Sequence, residues 1–160
     1  MIKLTIEEKA QDLAFWCSDY ADHVIKQLGL SSEIDTLIDF SDFITKEWKL
    51  PHTFYMNSDN RGNYTLVIDP IYIKMILDDD PDVYNDEWVI WLDPESTVKH
   101  RLKKLILHEI AHYYHNYANK EIEERIRRKH GKNFEKMNGE IHNCKTFIDI
   151  QRDLFAKFLQ

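Results

Sequence analysis

The spacing of the apolar residues changes twice along the chain, and these changes constrain the fold more than any other feature. From Ile6 to Leu28 apolar residues recur every three or four positions, which predicts an amphipathic helix. Thr5 and Glu8 form a capping-box pattern at its start, and Gly29 follows its end. A second helix is predicted from about 33 to 48.

The pattern then changes to that of strands. The segments "TFYM" at 53–56 and "YTLVID" at 64–69 flank the turn "NSDNRGN", which predicts a β-hairpin. A short helix is predicted from Ile71 to Leu77, and "EWVIWLDP" at 87–94 predicts a third strand that ends at Pro94. We therefore expect a small, mostly antiparallel sheet of about three strands.

Everything after Pro94 has a helical pattern. Ser96 or Thr97 can cap a long helix that frays near 116–119, and a charged helix follows at about 120–129. His130 and Gly131 mark a break. Two further helices are predicted, one near 134–141 and one that carries Phe147, Ile148, Leu154, Phe155 and Phe158. The pattern as a whole indicates an α+β protein.

The length of 160 residues fits a single domain, residues 1–160. It divides into a helical part to about residue 50, a sheet at about 52–93 and a helical part at about 95–160. Two cysteines, Cys17 and Cys144, cannot build a disulfide framework, and the chain shows neither a signal-peptide pattern nor a stretch long enough to span a membrane. We expect a cytoplasmic protein without membrane contact.

Charge is distributed unevenly along the sequence. The net charge of −7 combines −13 over residues 1–96 with +6 over residues 97–160. The basic half, which includes "RIRRKHGK", can attract an anionic partner, yet two solvated faces explain the same imbalance. Contact with nucleic acid is therefore possible but is not supported by the net charge.

The sequence "HEIAH" at 108–112 lies in an apolar stretch of the predicted long helix. Residues four apart share a helix face, so His108 and His112 can direct imidazole nitrogens at one point, a spacing that suits Zn²⁺. Glu109 is rotated by about 100° from the first histidine, which suits a general base beside the metal. The alternative is that both histidines merely hydrogen-bond to neighbouring groups.

A catalytic zinc usually takes three protein ligands, so a third is needed. The downstream candidates are His115, His130, His142, Glu123, Glu124, Glu135 and Glu140. His130 is the strongest, because the following Gly131 permits a backbone angle that can turn the side chain back toward the first helix. His115 is interpreted as a residue beside or at the rim of the site, since one straight helix cannot surround a tetrahedral metal.

These residues resemble the SprT-like (Spartan-type) family of zinc metallopeptidases. The resemblance rests on "HEIAH", on "HGKNFEKM" at 130–137 and on "VIWLDP" at 89–94, and covers about residues 64–141. It implies a zincin-like fold with an HExxH active-site helix. It also implies that His108, His112 and His130 bind zinc and that Phe134 and Met137 pack behind the third ligand.

The same resemblance implies hydrolysis of a protein or peptide substrate by a zinc-activated water, with Glu109 as the general base. The strand at 88–92 would be an edge to which an extended substrate adds. One alternative makes Glu135 or Glu140 the third ligand. Another is a catalytically inactive, zinc-binding accessory protein that binds protein or DNA, such as a phage accessory factor. The sequence gives no indication of the oligomeric state.

Overall fold

The computed structural model describes residues 3–40, 52–59, 61–84, 96–118 and 120–159, and within these ranges the fold is α+β, as predicted. The strands are β1 (Ile34–Ile38), β2 (Tyr55–Ser58) and β3 (Tyr64–Ile68). The helices are α1 (Ile6–Gln27), α2 (Pro70–Leu77), α3 (Val98–Ala118), α4 (Lys120–His130), α5 (Phe134–His142) and α6 (Lys145–Phe158). A short 3₁₀ helix spans Pro81–Tyr84.

The chain separates into two compact units, Met1–Ile106 and Leu107–Gln160. The division falls inside α3, between Ile106 and Leu107. All the predicted site residues therefore belong to the second unit. The expectation of a single domain over residues 1–160 stays a prediction.

The first unit contains a sheet with the strand order β1-β3-β2. The predicted hairpin is confirmed: β2 and β3 pair antiparallel, with Tyr55 opposite Val67. Its turn is held by Asp59, whose Oδ1 accepts hydrogen bonds from the backbone N–H groups of Arg61 (2.7 Å) and Asn63 (3.1 Å). Because β1 pairs with β3 in parallel, the sheet is mixed rather than mostly antiparallel.

The predicted helix at about 33–48 is wrong at its start, where the chain forms β1. Ile34 and Ile38 are four residues apart, a spacing that also fits alternate positions of a strand, so a short apolar run does not distinguish the two. Pairing with β3 settles the conformation, and the hydroxyl of Thr36 donates to Asp22 Oδ1 of α1 at 3.0 Å. The remainder of that prediction, at 41–51, lies outside the described residues.

Local capping explains where the first two helices begin. Thr5 and Glu8 form the predicted capping box, each side chain accepting a hydrogen bond from the other residue's backbone N–H. Asp69 caps α2 through the N–H groups of Ile71 and Tyr72. Helix α1 packs on α2 and β1 and buries one face, which comprises Ala10, Ala14, Cys17, Ala21, Val24 and Ile25.

The helices predicted after Pro94 are confirmed. The side chain of Thr97 accepts a hydrogen bond from the backbone N–H of His100 at 3.2 Å, so Thr97 caps α3. Helix α4 ends at His130, and Gly131 follows with a positive φ of 58°. The predicted strand at 87–94, with its proposed substrate edge at 88–92, lies outside the described residues. Among the helices of the described ranges, none has the length and apolar character needed to cross a membrane.

Candidate metal centre

Three histidines of the second unit meet at one point. His108 and His112 lie one turn apart on α3, and His142 is the last residue of α5. The group they form could hold a metal ion. Helical spacing alone brings the first two together, whereas the third arrives through the packing of a separate helix.

The geometry of this group fits a tetrahedral metal. The Nε2 atoms of His108 and His112 are 3.2 Å apart, and Nε2 of His142 lies 3.1 Å from each of them. A tetrahedral ion about 2.05 Å from each nitrogen holds its ligands about 3.3 Å apart. The observed separations are about 0.1 to 0.2 Å shorter than this. Three ligands leave a fourth position for water or substrate.

Hydrogen bonds fix which nitrogen of two of these rings carries the proton. Nδ1 of His142 lies 2.6 Å from the backbone oxygen of Asn138, and Nδ1 of His108 lies 2.5 Å from Oε1 of Gln151. Each oxygen can only accept, so each Nδ1 donates. In the neutral rings Nε2 then carries a lone pair directed at the shared point. Such lone pairs repel one another unless a cation lies between them.

The environment also favours the neutral form of the imidazoles. Burial, followed by the proximity of His142, lowers the pKa of His108 to about 3, although its hydrogen bond with Gln151 acts in the opposite direction. Burial and the neighbouring histidines lower the pKa of His112 well below its usual value. Both residues are therefore neutral at pH 7, which is the form that binds metal.

An aromatic ring packs against this group. Phe147 of α6 is 2% exposed, and its ring centroid lies 4.6 Å from that of His112, 5.3 Å from His108 and 5.4 Å from His142. A phenyl ring neither accepts nor donates a strong hydrogen bond, so it excludes water from the side of the histidines that it covers. This apolar contact strengthens electrostatic interactions within the site.

Glu109, the predicted general base, follows His108 on α3 and is 8% exposed. Its position in the helix places it about 100° around the axis from the first histidine. A carboxylate kept this far from bulk water has a partner in the folded chain, and Glu109 does interact with neighbouring groups. Glu109 is therefore adjacent in sequence to a histidine of the group and is shielded from solvent.

His130, the predicted third ligand, is not brought into this group. It ends α4, and its Nε2 contacts Oε2 of Glu140 on α5, which also binds Lys129 at 3.2 Å. The turn at Gly131 does reverse the chain, but it directs His130 toward the neighbouring helix rather than toward α3. Glu140, one of the alternative ligands, is engaged by the same contact.

The residues expected behind the third ligand are only partly described. Met137 is buried, in keeping with a packing role. The side chains of Phe134 and Glu135 lie outside the described part of the structure.

His115 is fully buried and therefore does not lie at a rim. Its Nδ1 is 2.7 Å from Oε1 of Glu123, whose second oxygen accepts from Asn116 Nδ2 at 2.7 Å. Burial is the largest single influence on the pKa of His115 and lowers it, but the opposing influences, of which the hydrogen bond with Glu123 is the largest, together raise this pKa above its usual value. Nε2 of His115 has no hydrogen-bond partner among the described residues. The pair links α3 to α4.

The third histidine of the group is His142 rather than His130, which the helix break at Gly131 favoured in the sequence. His142 stands at the end of a helix, next to the buried Ile141. The buried face of α5, formed by Met137 and Ile141, was the available signal, because a histidine bordering such a face is directed toward packed residues. Nothing in the sequence indicated Gln151.

Comparisons with protein-family models, curated proteins and solved structures find no significant match to this chain. The resemblance to SprT-like peptidases therefore rests on the motifs alone.

Proposed function

We propose that this protein is a zinc-dependent peptidase of the HExxH type, with His108, His112 and His142 as the metal ligands. The observation that carries the proposal is the convergence of three Nε2 atoms within 3.2 Å of one another, next to a buried glutamate. The combination matches what metal-assisted hydrolysis requires: three ligands, a free coordination position and a base.

Zinc is favoured by the chemistry of the ligands. Neutral imidazoles suit Zn²⁺, Cu²⁺, Ni²⁺ and Fe²⁺, but three of them at near-tetrahedral separation favour zinc. When bound, zinc supplies a Lewis acid that activates water and polarises a carbonyl group. The zincin-like fold belongs to this proposal and is supported by the HExxH helix α3 and the small sheet.

The other steps of the proposed reaction are assigned to residues of the chain itself. Glu109 accepts a proton from the attacking water and delivers it to the amine that leaves when the peptide bond breaks. Gln151 and the backbone oxygen of Asn138 hold the protons of two ligand rings on Nδ1. Phe147 keeps water from one side of the group, so that hydrolysis is confined to the opposite side.

The metal content of purified variants tests the ligand set. We expect about one zinc per chain in the wild type, measured by inductively coupled plasma mass spectrometry, and none in His142→Ala. His130→Ala should retain its zinc, because its ring contacts Glu140 instead. His23→Ala is the control, because His23 is exposed and its substitution removes a histidine outside the group. Zinc lost from His130→Ala but kept in His142→Ala would contradict the proposed ligands.

Cleavage of fluorescein-labelled casein tests the catalytic role of Glu109. Glu109→Gln keeps the size of the side chain but cannot take up a proton, so cleavage should fall by at least about 100-fold while the zinc content is unchanged. Equal rates for the zinc-loaded wild type and this variant would exclude the peptidase. They would leave a zinc-binding accessory protein.

A further inference from the structure

Helix α6 contributes a polar side chain to the histidine group in addition to the ring of Phe147. Gln151 follows Phe147 by one helical turn, so the two residues share a face of α6. Oε1 of Gln151 lies 2.5 Å from Nδ1 of His108, which is 43 positions earlier in the chain. This is a long-range contact between two helices, made at the buried end of the metal group.

The two ring nitrogens of a neutral histidine cannot act independently. A hydrogen bond that holds the proton on Nδ1 leaves the lone pair on Nε2, and it also fixes the rotation of the ring. The backbone oxygen of Asn138 does this for His142, and it comes from within the same helix. For His108, Oε1 of Gln151 accepts the corresponding hydrogen bond from Nδ1.

We infer that Gln151 is a positioning residue that holds His108 as the Nδ1–H tautomer with Nε2 directed at the metal. The inference rests on the proposed function insofar as a metal binds there. It gives α6 a role in metal binding, which could not be inferred from "HEIAH" and its flanking segments. The side chain is a neutral amide, so it orients the ring without the electron donation that a carboxylate in this position provides.

Two substitutions at this position separate orientation from packing. Gln151→Met keeps a side chain of similar length but removes the acceptor. Gln151→Glu keeps an acceptor oxygen and adds a negative charge. Gln11→Met, on the exposed side of α1, controls for the loss of a glutamine from a helix. Far-UV circular dichroism establishes that each variant is folded.

The first readout is the zinc affinity, measured by competition with a chromophoric chelator. Gln151→Met should bind zinc about 10- to 100-fold more weakly than the wild type. Gln151→Glu should bind zinc at least as tightly as the wild type, because a carboxylate makes the ring a stronger donor. Gln11→Met should be unchanged.

The second readout is independent of metal. Long-range ¹H–¹⁵N spectra of the metal-free protein distinguish the two imidazole tautomers. They should show His108 as Nδ1–H in the wild type and as a mixture in Gln151→Met.

The outcomes distinguish this inference from the proposed function. Wild-type zinc affinity in Gln151→Met together with an unchanged His108 spectrum overturns the positioning role, even if the protein is a zinc peptidase. A wild type that binds no zinc overturns the proposed function, whereas the tautomer spectra still decide the role of Gln151. If Gln151→Met does not fold, a weaker zinc affinity of Gln151→Glu than of the wild type overturns the inference.

Discussion

Phe147 belongs both to the hydrophobic core and to the candidate metal centre. Its ring contacts those of His108, His112 and His142, and also His115, at 5.9 Å. Burial of the phenyl group stabilises the fold, while the same contacts limit the rotation of the rings that carry the ligand atoms. One residue therefore couples the stability of the second unit to the geometry of the histidine group.

Truncation of this residue should affect both properties. We expect Phe147→Ala to lower the free energy of unfolding by about 3 to 5 kcal/mol, because it opens a cavity against the histidine rings. Phe147→Leu fills most of that space and should cost less. Urea unfolding of the metal-free protein measures the effect, with Phe15→Ala as control, since Phe15 is 55% exposed. If Phe147→Ala lowers the free energy of unfolding as little as Phe15→Ala does, the packing role is contradicted.

At the scale of elements, the turn between α4 and α5 sets the direction of α5 and thereby the position of His142. Gly131 has a φ of 58°, and its N–H donates to the backbone oxygen of Arg127 at 2.9 Å, which ends α4. The chain then enters α5, whose last residue is His142. A glycine is suited to this position because side chains with a Cβ rarely adopt a positive φ.

Substitution of Gly131 should reveal the cost of that backbone conformation alone. A Cβ built at this position meets no atom within 4 Å, so sterics with other residues do not contribute. Gly131→Ala should therefore lose about 1 kcal/mol of unfolding free energy, and Gly131→Asn less, because asparagine tolerates the left-handed region. Urea denaturation followed by circular dichroism measures both. Equal stability of wild type and Gly131→Ala would show that the turn relaxes.

At the scale of the whole molecule, buried neutral histidines link folding to pH. The pKa of His108 is about 3 in the folded chain and about 6.5 as an ordinary histidine. Between these values the unfolded chain binds a proton that the folded chain does not. Stability therefore rises with pH in this window and is lost as the pH falls below about 6.5, by about 1.4 kcal/mol per pH unit.

This linkage gives a measurable difference between variants. On going from pH 7 to pH 5, His108 should contribute about 2 kcal/mol of destabilisation in the metal-free protein. His108→Asn, which places an amide near the position of Nδ1, should show a correspondingly weaker pH dependence in urea unfolding. His23→Gln, at an exposed position, should behave as the wild type does. A pH dependence that His108→Asn leaves unaltered would show that His108 is not buried in its neutral form.

The sequence by itself determined most of the helices, the β2–β3 hairpin and two of the three histidines. Those features depend on interactions between residues close in sequence: the capping box at Thr5, the turn at Asp59, and the four-residue spacing that places His108 and His112 on one face. Local spacing is sufficient there because the partners are fixed by the geometry of a single element or turn.

Only the tertiary structure decided the conformation of 34–38 and the third histidine. Ile34 and Ile38 fit a helix or a strand equally well until β3 provides a parallel partner. His142 lies 30 residues from His112, and Gln151 lies 43 from His108, so neither contact has a local signature. Packing of α5 and α6 brings these side chains to α3, and such long-range packing depends on the apolar faces of several elements at once.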